Sequence, residues 1–154
     1  MTMRRIYLDT EFTSLNRYQA KLISLALVVQ EGPEFYAELT DNWDESDCSD
    51  FVRETVLPQL DLSKHGRTTE LARGELLAFL QALGPVEVIT DAPDYDWTLL
   101  LWLVDPAGLP ANVQPQPGLL CIDFDADYSG DEPPHHALQD ARLLAALAEK
   151  SNPA

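Results

Sequence analysis

The sequence predicts an α/β fold, a mixed five-stranded sheet of a three-strand antiparallel meander plus two parallel strands, flanked by helices. Three observations carry this. The first quarter of the chain holds three short apolar and β-branched runs separated by turn signals, the middle alternates helical and strand-like patterns, and the last segment again has helical spacing. Such an order suits a sheet with helices on both faces, in which ligands sit beyond the strand ends where the strand order switches.

Residues 5–12, RIYLDTEF, combine β-branched and aromatic residues in a strand that ends in acids. KLISLALVVQ, residues 21–30, is a longer apolar run, and after the Glu31-Gly32 turn signal EFYAEL, residues 34–39, completes the meander. The segment 46–60, SDCSDFVRETVLPQL, sets Phe51, Val52, Val56, Leu57 and Leu60 at helical spacing, with Ser49 or Asp50 able to cap its start. A second helix is predicted over 69–83 from Leu71, Leu76, Leu77, Phe79, Leu80 and Leu83, and Gly84-Pro85 stops it. VEVIT, residues 86–90, reads as the fourth strand. Residues 96–104 are helical and apolar nearly all round, which implies either deep burial or a subunit contact, the sole basis for expecting a homodimer. A Pro-rich connection leads to a short strand, LLCIDF at 119–124, and the final helix spans 137–149. With no repeat, linker or low-complexity stretch, residues 1–154 are expected to form a single domain.

Composition excludes several classes. No run approaches the ~20 apolar residues of a membrane span, and MTMRRIYLDT lacks a signal core, so a cytoplasmic location and no membrane partner are expected. Cys48 and Cys121 have no metal-ligand spacing and are expected to be reduced and structural. The formal net charge is -16, and no lysine or arginine lies between Arg73 and Arg142. A long duplex would be repelled by that half of the chain. Most of these acids read as a solvated surface, but a few of them around bound cations would reverse the local sign. The acidic loop DFDADYSGDE is not a calcium-binding loop, because Gly130 and Pro134 occupy the wrong positions for one.

Asp9 and Glu11 lie two apart on the first strand and project from the same face near its carboxyl end. A second acidic cluster, DAPDYDW, follows the fourth strand, and Asp140 opens the last helix. Brought together, these carboxylates would repel one another unless divalent cations joined them, and oxygen ligands are what magnesium and manganese prefer. Two such ions would make a phosphoryl-transfer site, and a neighbouring histidine would supply a general base near neutral pH. The stretch PPHHALQDAR offers two candidates. On helix geometry His136 and Asp140 are about 40° apart and His135 and Asp140 about 140°. Pro133 and Pro134 instead favour an extended chain up to the histidines, which removes His135 from helical angles and weakens the case for His136.

These motifs resemble those of the DEDDh family of 3'-5' exonucleases, which have a ribonuclease H-like fold. The likeness rests on LDTEFTSL, with Asp9 and Glu11, on an aspartate after the fourth strand, and on HHALQDA, with His135, Ala137 and Asp140. Within the family the chain is most similar to small mycobacterial-type 3'-5' exoribonucleases, through YLDTEFTSL, LISLALV and GPEFYAEL, and the ordered motifs cover about residues 5–147. The resemblance implies Asp9, Glu11, Asp96 and Asp140 as ligands of two Mg2+ or Mn2+ ions and His135 as general base. In TDAPDYDWTLL, Asp96 is the preferred middle aspartate because it precedes the apolar helix; Asp94 is the fallback, and Asp91 is a candidate for the place of the motif's asparagine. Phe12 and Ser14 depart from the family's D-x-E-T-T-G-L form, which touches sugar and base recognition rather than the metal acids.

Leu15 matches an apolar position that packs against the terminal base in relatives, and Thr13 belongs to the same substrate-binding stretch. Tyr95 and Trp97 suit core packing and base stacking equally. Arg17 and Lys21 read as a solvated pair, and His65, with no acid partner in sequence, as surface. The resulting expectation is a metal-dependent hydrolase shortening single-stranded RNA or DNA from the 3' end, RNA favoured, with a short footprint. The alternatives are a non-catalytic nucleotide- or protein-binding module of the same fold and a hydrolase of nucleotides or small phosphodiesters.

Overall fold

The computed structural model describes residues 3–120 and 134–151. The meander is formed by β1 (Arg4–Phe12), β2 (Leu22–Val29) and β3 (Glu34–Leu39), and the expected fourth strand is Val86–Thr90. One feature raises the strand count. After a one-turn helix α1 (Leu62–His65), residues Gly66–Arg67 pair in parallel with β3 and become β4, so Val86–Thr90 is β5 and Gly118–Leu119 is β6. The sheet is therefore six-stranded, in the order β4-β3-β2-β1-β5-β6. Gly66 permits the extra strand, since a Cβ there would collide with the Leu62 carbonyl. The predicted strand at 119–124 is seen at Leu119, Leu120 continues from it with its N–H on the Thr90 carbonyl at 3.0 Å, and residues 121–124 lie outside the described residues, as does the acidic loop.

Three longer helices follow the apolar spacing closely: α2 (Thr69–Gln81), capped by the Thr68 hydroxyl accepting from the Leu71 N–H, then α3 (Asp96–Val104) and α4 (Ala137–Ser151). The segment predicted as one helix over 46–60 is broken. A 3₁₀ turn at Glu45–Asp47 precedes it, Ser49 caps the start by accepting from the Val52 N–H at 3.3 Å, and the body is a π-helical turn, Val52–Val56, followed by a 3₁₀ turn, Leu57–Gln59. Pro58 has no N–H to continue an α ladder there.

The two faces of the sheet follow from strand parity. Even-numbered β1 residues Ile6 and Leu8 join Leu25, Leu27, Phe35, Ala37, Val86 and Val88 in a core closed by Leu76 and Leu80 of α2 and Leu100 and Leu103 of α3. On the other face Tyr7, Ala26, Val28 and Ile89 pack under Ala137, Ala141, Leu144, Ala145 and Ala148 of α4. Helix α3 is mainly buried, while Leu101 and Trp102 stay 40% and 41% exposed. Among the described residues no helix is long and apolar enough to cross a membrane.

Candidate active site

The acids of β1 fall on the face that α4 covers, because Asp9 and Glu11 share the parity of Tyr7. At the end of the strand the register slips, with Glu11 opposite Ser24 but Phe12 opposite Leu22. Ile23 is the extra residue, and it packs with Cys48, Val52 and Val56, tying the broken helical segment to the end of the sheet. Helix α4 brings Asp140 over the same end. Asp96 arrives from the other side, on the first turn of α3, where both of its oxygens are held at 2.6 Å by hydroxyls, Thr10 on one and Thr90 on the other.

Five carboxylates converge. Ligand oxygens of Asp9, Asp91 and Asp96 lie within 4.8 Å of one another, and so do those of Asp9, Glu11 and Asp140, so each group can hold a metal ion and Asp9 belongs to both. The all-oxygen donor set suits a hard divalent cation. Asp9 Oδ2 and Asp140 Oδ1 are buried without a hydrogen-bond partner, and no positively charged lysine or arginine is paired with any of the five among the described residues. Unsatisfied buried oxygens are costly unless something binds them, and a cation fits that need.

The protonation of the cluster tells the same story. Burial, followed by the charges of Asp96, Glu11 and Asp140, pushes Asp9 well above the usual carboxylate range. Burial and Asp140 raise Glu11 to about 9, and burial raises Asp96 to about 7 against the opposing pull of the two threonine hydroxyls. Asp140 rises to about 6 through burial, held back by the His135 imidazole and by hydrogen bonds from Glu11 and the His135 backbone. Asp91 is raised by burial as well. Without a cation the group cannot be fully ionised near neutral pH.

The two histidines separate cleanly. His135, at φ 55°, lies beside Asp140, and its ring meets the Phe51 ring edge-on at 4.9 Å. His136 points towards β3, where its Nε2 is 3.2 Å from the Tyr36 hydroxyl, which donates its only hydrogen to Glu38. The hydrogen in the His136 contact therefore has to come from Nε2, leaving Nδ1 as the lone-pair nitrogen, and that atom is buried without a partner. Burial also lowers the His136 pKa. The ring is held neutral and turned from the carboxylates, although its four-residue spacing from Asp140 is realised as a helical hydrogen bond between Asp140 N–H and the His136 carbonyl.

The remaining predicted residues are spread around this centre. Asp94, the fallback for the middle motif, points outward to Arg17 at 3.4 Å, while Asp91, considered only as a stand-in for asparagine, joins the carboxylates. Leu15 is 78% exposed beside Tyr95, whose hydroxyl donates to the Leu15 carbonyl and whose ring stacks on Phe12 at 4.7 Å. Trp97 packs against the α2–α3 core. Thr13 is buried and closes the loop before β2, its hydroxyl accepting from the Lys21 N–H. Lys21 pairs with Asp47 at 3.0 Å. His65 is half-buried instead of surface-borne, because β4 docks it beside β3 with its ring edge on Tyr36 at 5.0 Å. Thr10, Thr90, Tyr36 and Glu38 escaped the sequence reading. A threonine on each of two adjacent strands before an acid was the available signal for the first pair, and an acid inside the apolar run of EFYAEL for Glu38.

Comparison with protein-family models and with curated protein sequences gives no match. Comparison with solved structures does. The fold is similar to that of a moderately thermophilic exonuclease I from Methylocaldum szegediense, with a TM-score of 0.61 at 12% identity. The match covers 99% of this chain and 41% of that one, so the present chain spans less than half of its neighbour's length.

Proposed function

We propose that this protein is a metal-dependent 3'-5' exonuclease that removes nucleotides from single-stranded ends, RNA in preference to DNA. The observation that carries the reading is the pair of carboxylate groups sharing Asp9, with buried orphan oxygens on Asp9 and Asp140 and His135 alongside. Asp9, Asp91 and Asp96 would hold one ion and Asp9, Glu11 and Asp140 the other. Divalent cations held by these residues would supply acidification of an attacking water and neutralisation of charge on the scissile phosphate.

The protein's own groups supply the rest. His135 takes the proton from the attacking water, a role open to an imidazole near neutral pH and closed to His136 by its bond to Tyr36. Thr10 and Thr90 fix the Asp96 carboxylate, so that it is aimed before any ligand arrives. Exposed Leu15, beside the half-buried Tyr95, forms the apolar rim on which a terminal base would stack. Arg17 and Lys21 are spent on Asp94 and Asp47, which favours a short footprint over tracking along a polymer. The RNA preference rests on the resemblance of YLDTEFTSL and GPEFYAEL to exoribonucleases.

The test is 5'-labelled single-stranded RNA and DNA oligomers incubated with Mg2+, Mn2+ or EDTA. A ladder that shortens from the 3' end with either metal and stops with EDTA is expected; intact oligomers in every lane would refute the reading. Parallel incubation with dinucleotides and mononucleotides separates exonuclease action from hydrolysis of small phosphodiesters.

A further inference from the structure

The backbone of His135 stands in the left-handed region at φ 55°, a conformation that is unfavourable for a non-glycine residue and persists only where the surroundings enforce it. Two sets of contacts do so. On one side the Gln59 amide donates to the carbonyls of Pro134 at 2.8 Å and His135 at 3.3 Å. One of the two hydrogens of that amide goes to the Thr55 carbonyl at 2.8 Å, so the Pro134 and His135 carbonyls share the other. On the other side the next residue, His136, is bonded through Nε2 to Tyr36.

Tyr36 is in turn anchored by Glu38, which is 0% exposed. Burying that carboxylate would be costly without good partners. One oxygen takes the Tyr36 hydrogen and the other accepts the Asp61 N–H at 2.8 Å, just beyond the turn that carries Gln59. Both sides of the His135 loop thus converge on Glu38. The row is continuous with the metal acids, since Glu11, Ser24 and Glu38 are lateral neighbours on β1, β2 and β3. The Tyr36 ring packs against the apolar cluster under the last helix, but the hydrogen bonds of this row add nothing to that packing, and a phenylalanine would fill the same space.

We propose that Gln59, Tyr36 and Glu38 form a clamp that positions His135 for proton transfer. They touch neither substrate nor carboxylate cluster; they act by fixing the backbone on either side of the His135 Cα. The inference rests on the exonuclease reading, in which His135 is the base.

The experiment is a pair of double-mutant cycles in the oligomer assay, with Gln59→Ala and Tyr36→Phe each made in wild type and in His135→Ala. Misplacing a catalytic group by about 1 Å costs on the order of a hundredfold, so each single change is expected to lower kcat about ten- to a hundredfold at unchanged KM. Mn2+ affinity by calorimetry is expected to be unchanged. In His135→Ala, where no base remains to be positioned, neither change should matter. A second readout is independent of activity: 15N shifts of the His136 ring should show the Nε2–H tautomer, and Glu38→Gln, whose amide can donate to Tyr36, should convert it to Nδ1–H. The clamp is refuted by substitutions that leave kcat intact, by an equal loss with and without His135, or by an Nδ1–H tautomer in the wild type. Wild type that cuts nothing refutes the exonuclease reading itself, and with it the role of the clamp, a result distinct from an active wild type with additive cycles.

Discussion

The two faces of the sheet are built from the same strands and serve opposite ends. Below α2 and α3, Ile6, Leu8, Leu25, Leu27, Val86 and Val88 form an apolar core, and the one site acid on that side, Asp96, sits at its edge between the Thr10 and Thr90 hydroxyls. Below α4, the alternate residues of the same strands include Asp9, Glu11, Ser24, Tyr36 and Glu38, and the helix meets them with alanines. One face contributes hydrophobic stabilisation. The other concentrates like charge and buried polar groups, and repulsion there opposes folding until a ligand relieves it. A stability threshold met by one face allows a strained site on the other.

Substitutions on the two faces should therefore move activity and stability in different directions. The largest effect is expected from Asp9→Asn, which removes the carboxylate shared by both groups. Oligomer cleavage should fall below detection while the metal-free protein melts at a higher temperature, since the cost of holding that carboxyl among the other acids is gone. A lower melting temperature in calorimetry would show that the cluster does not oppose folding. Next comes Leu100→Ala on the apolar face, where the side chain is 0% exposed. A loss of about 2–5 kcal/mol in urea unfolding is expected, with kcat unchanged under folded conditions.

Acidity provides a milder probe of the same contrast. Asp140, Asp96 and Glu11 bind protons more tightly in the folded chain, up to about 6, 7 and 9, than their ordinary values near 4. The stabilisation from those retained protons is complete at low pH and is lost as pH rises through the folded values. Metal-free protein should thus lose melting temperature between pH 5 and 9, roughly the window set by these groups. Mg2+ or Mn2+ should restore it, and by more at pH 8 than at pH 5. A metal-induced shift independent of pH would argue that the ions bind elsewhere.

The smallest effect belongs to Asp94→Ala. The carboxylate is outside the cluster and its exposed pair with Arg17 contributes about 0–1 kcal/mol. Cleavage and Mn2+ affinity should stay within about twofold of wild type, whereas Asp91→Asn should weaken Mn2+ binding measurably by calorimetry. Equal losses from both would place the middle-motif ligand wrongly.

Much of this arrangement was legible in the residues, and the misses have identifiable causes. Strands 34–39 and 86–90 were read at their observed bounds because apolar runs between turn signals are local features. Strand β4 was not, since Gly66–Arg67 has no pattern of its own and exists only because β3 offers it a partner. The helix over 46–60 was read as continuous because apolar spacing does not distinguish an α from a π turn, and the packing of Ile23 against Val52 and Val56 belongs to long-range contacts.

The sequence by itself determined which residues could meet. Period-two alternation places Asp9 and Glu11 on one side and Leu8 and Thr10 on the other, and 3.6-residue spacing gives α2 and α4 their buried stripes. The family resemblance already favours Asp96 and His135 among neighbours of like chemistry; only the tertiary structure brings Asp91 in beside Asp96, turns Asp94 outward to Arg17 and sends the His136 ring to Tyr36. Adjacent residues have similar local propensities, so the choice falls to partners distant in the chain. Tyr36, 100 residues away, draws His136 to β3, and Gln59 holds the loop that leaves His135 at the carboxylates.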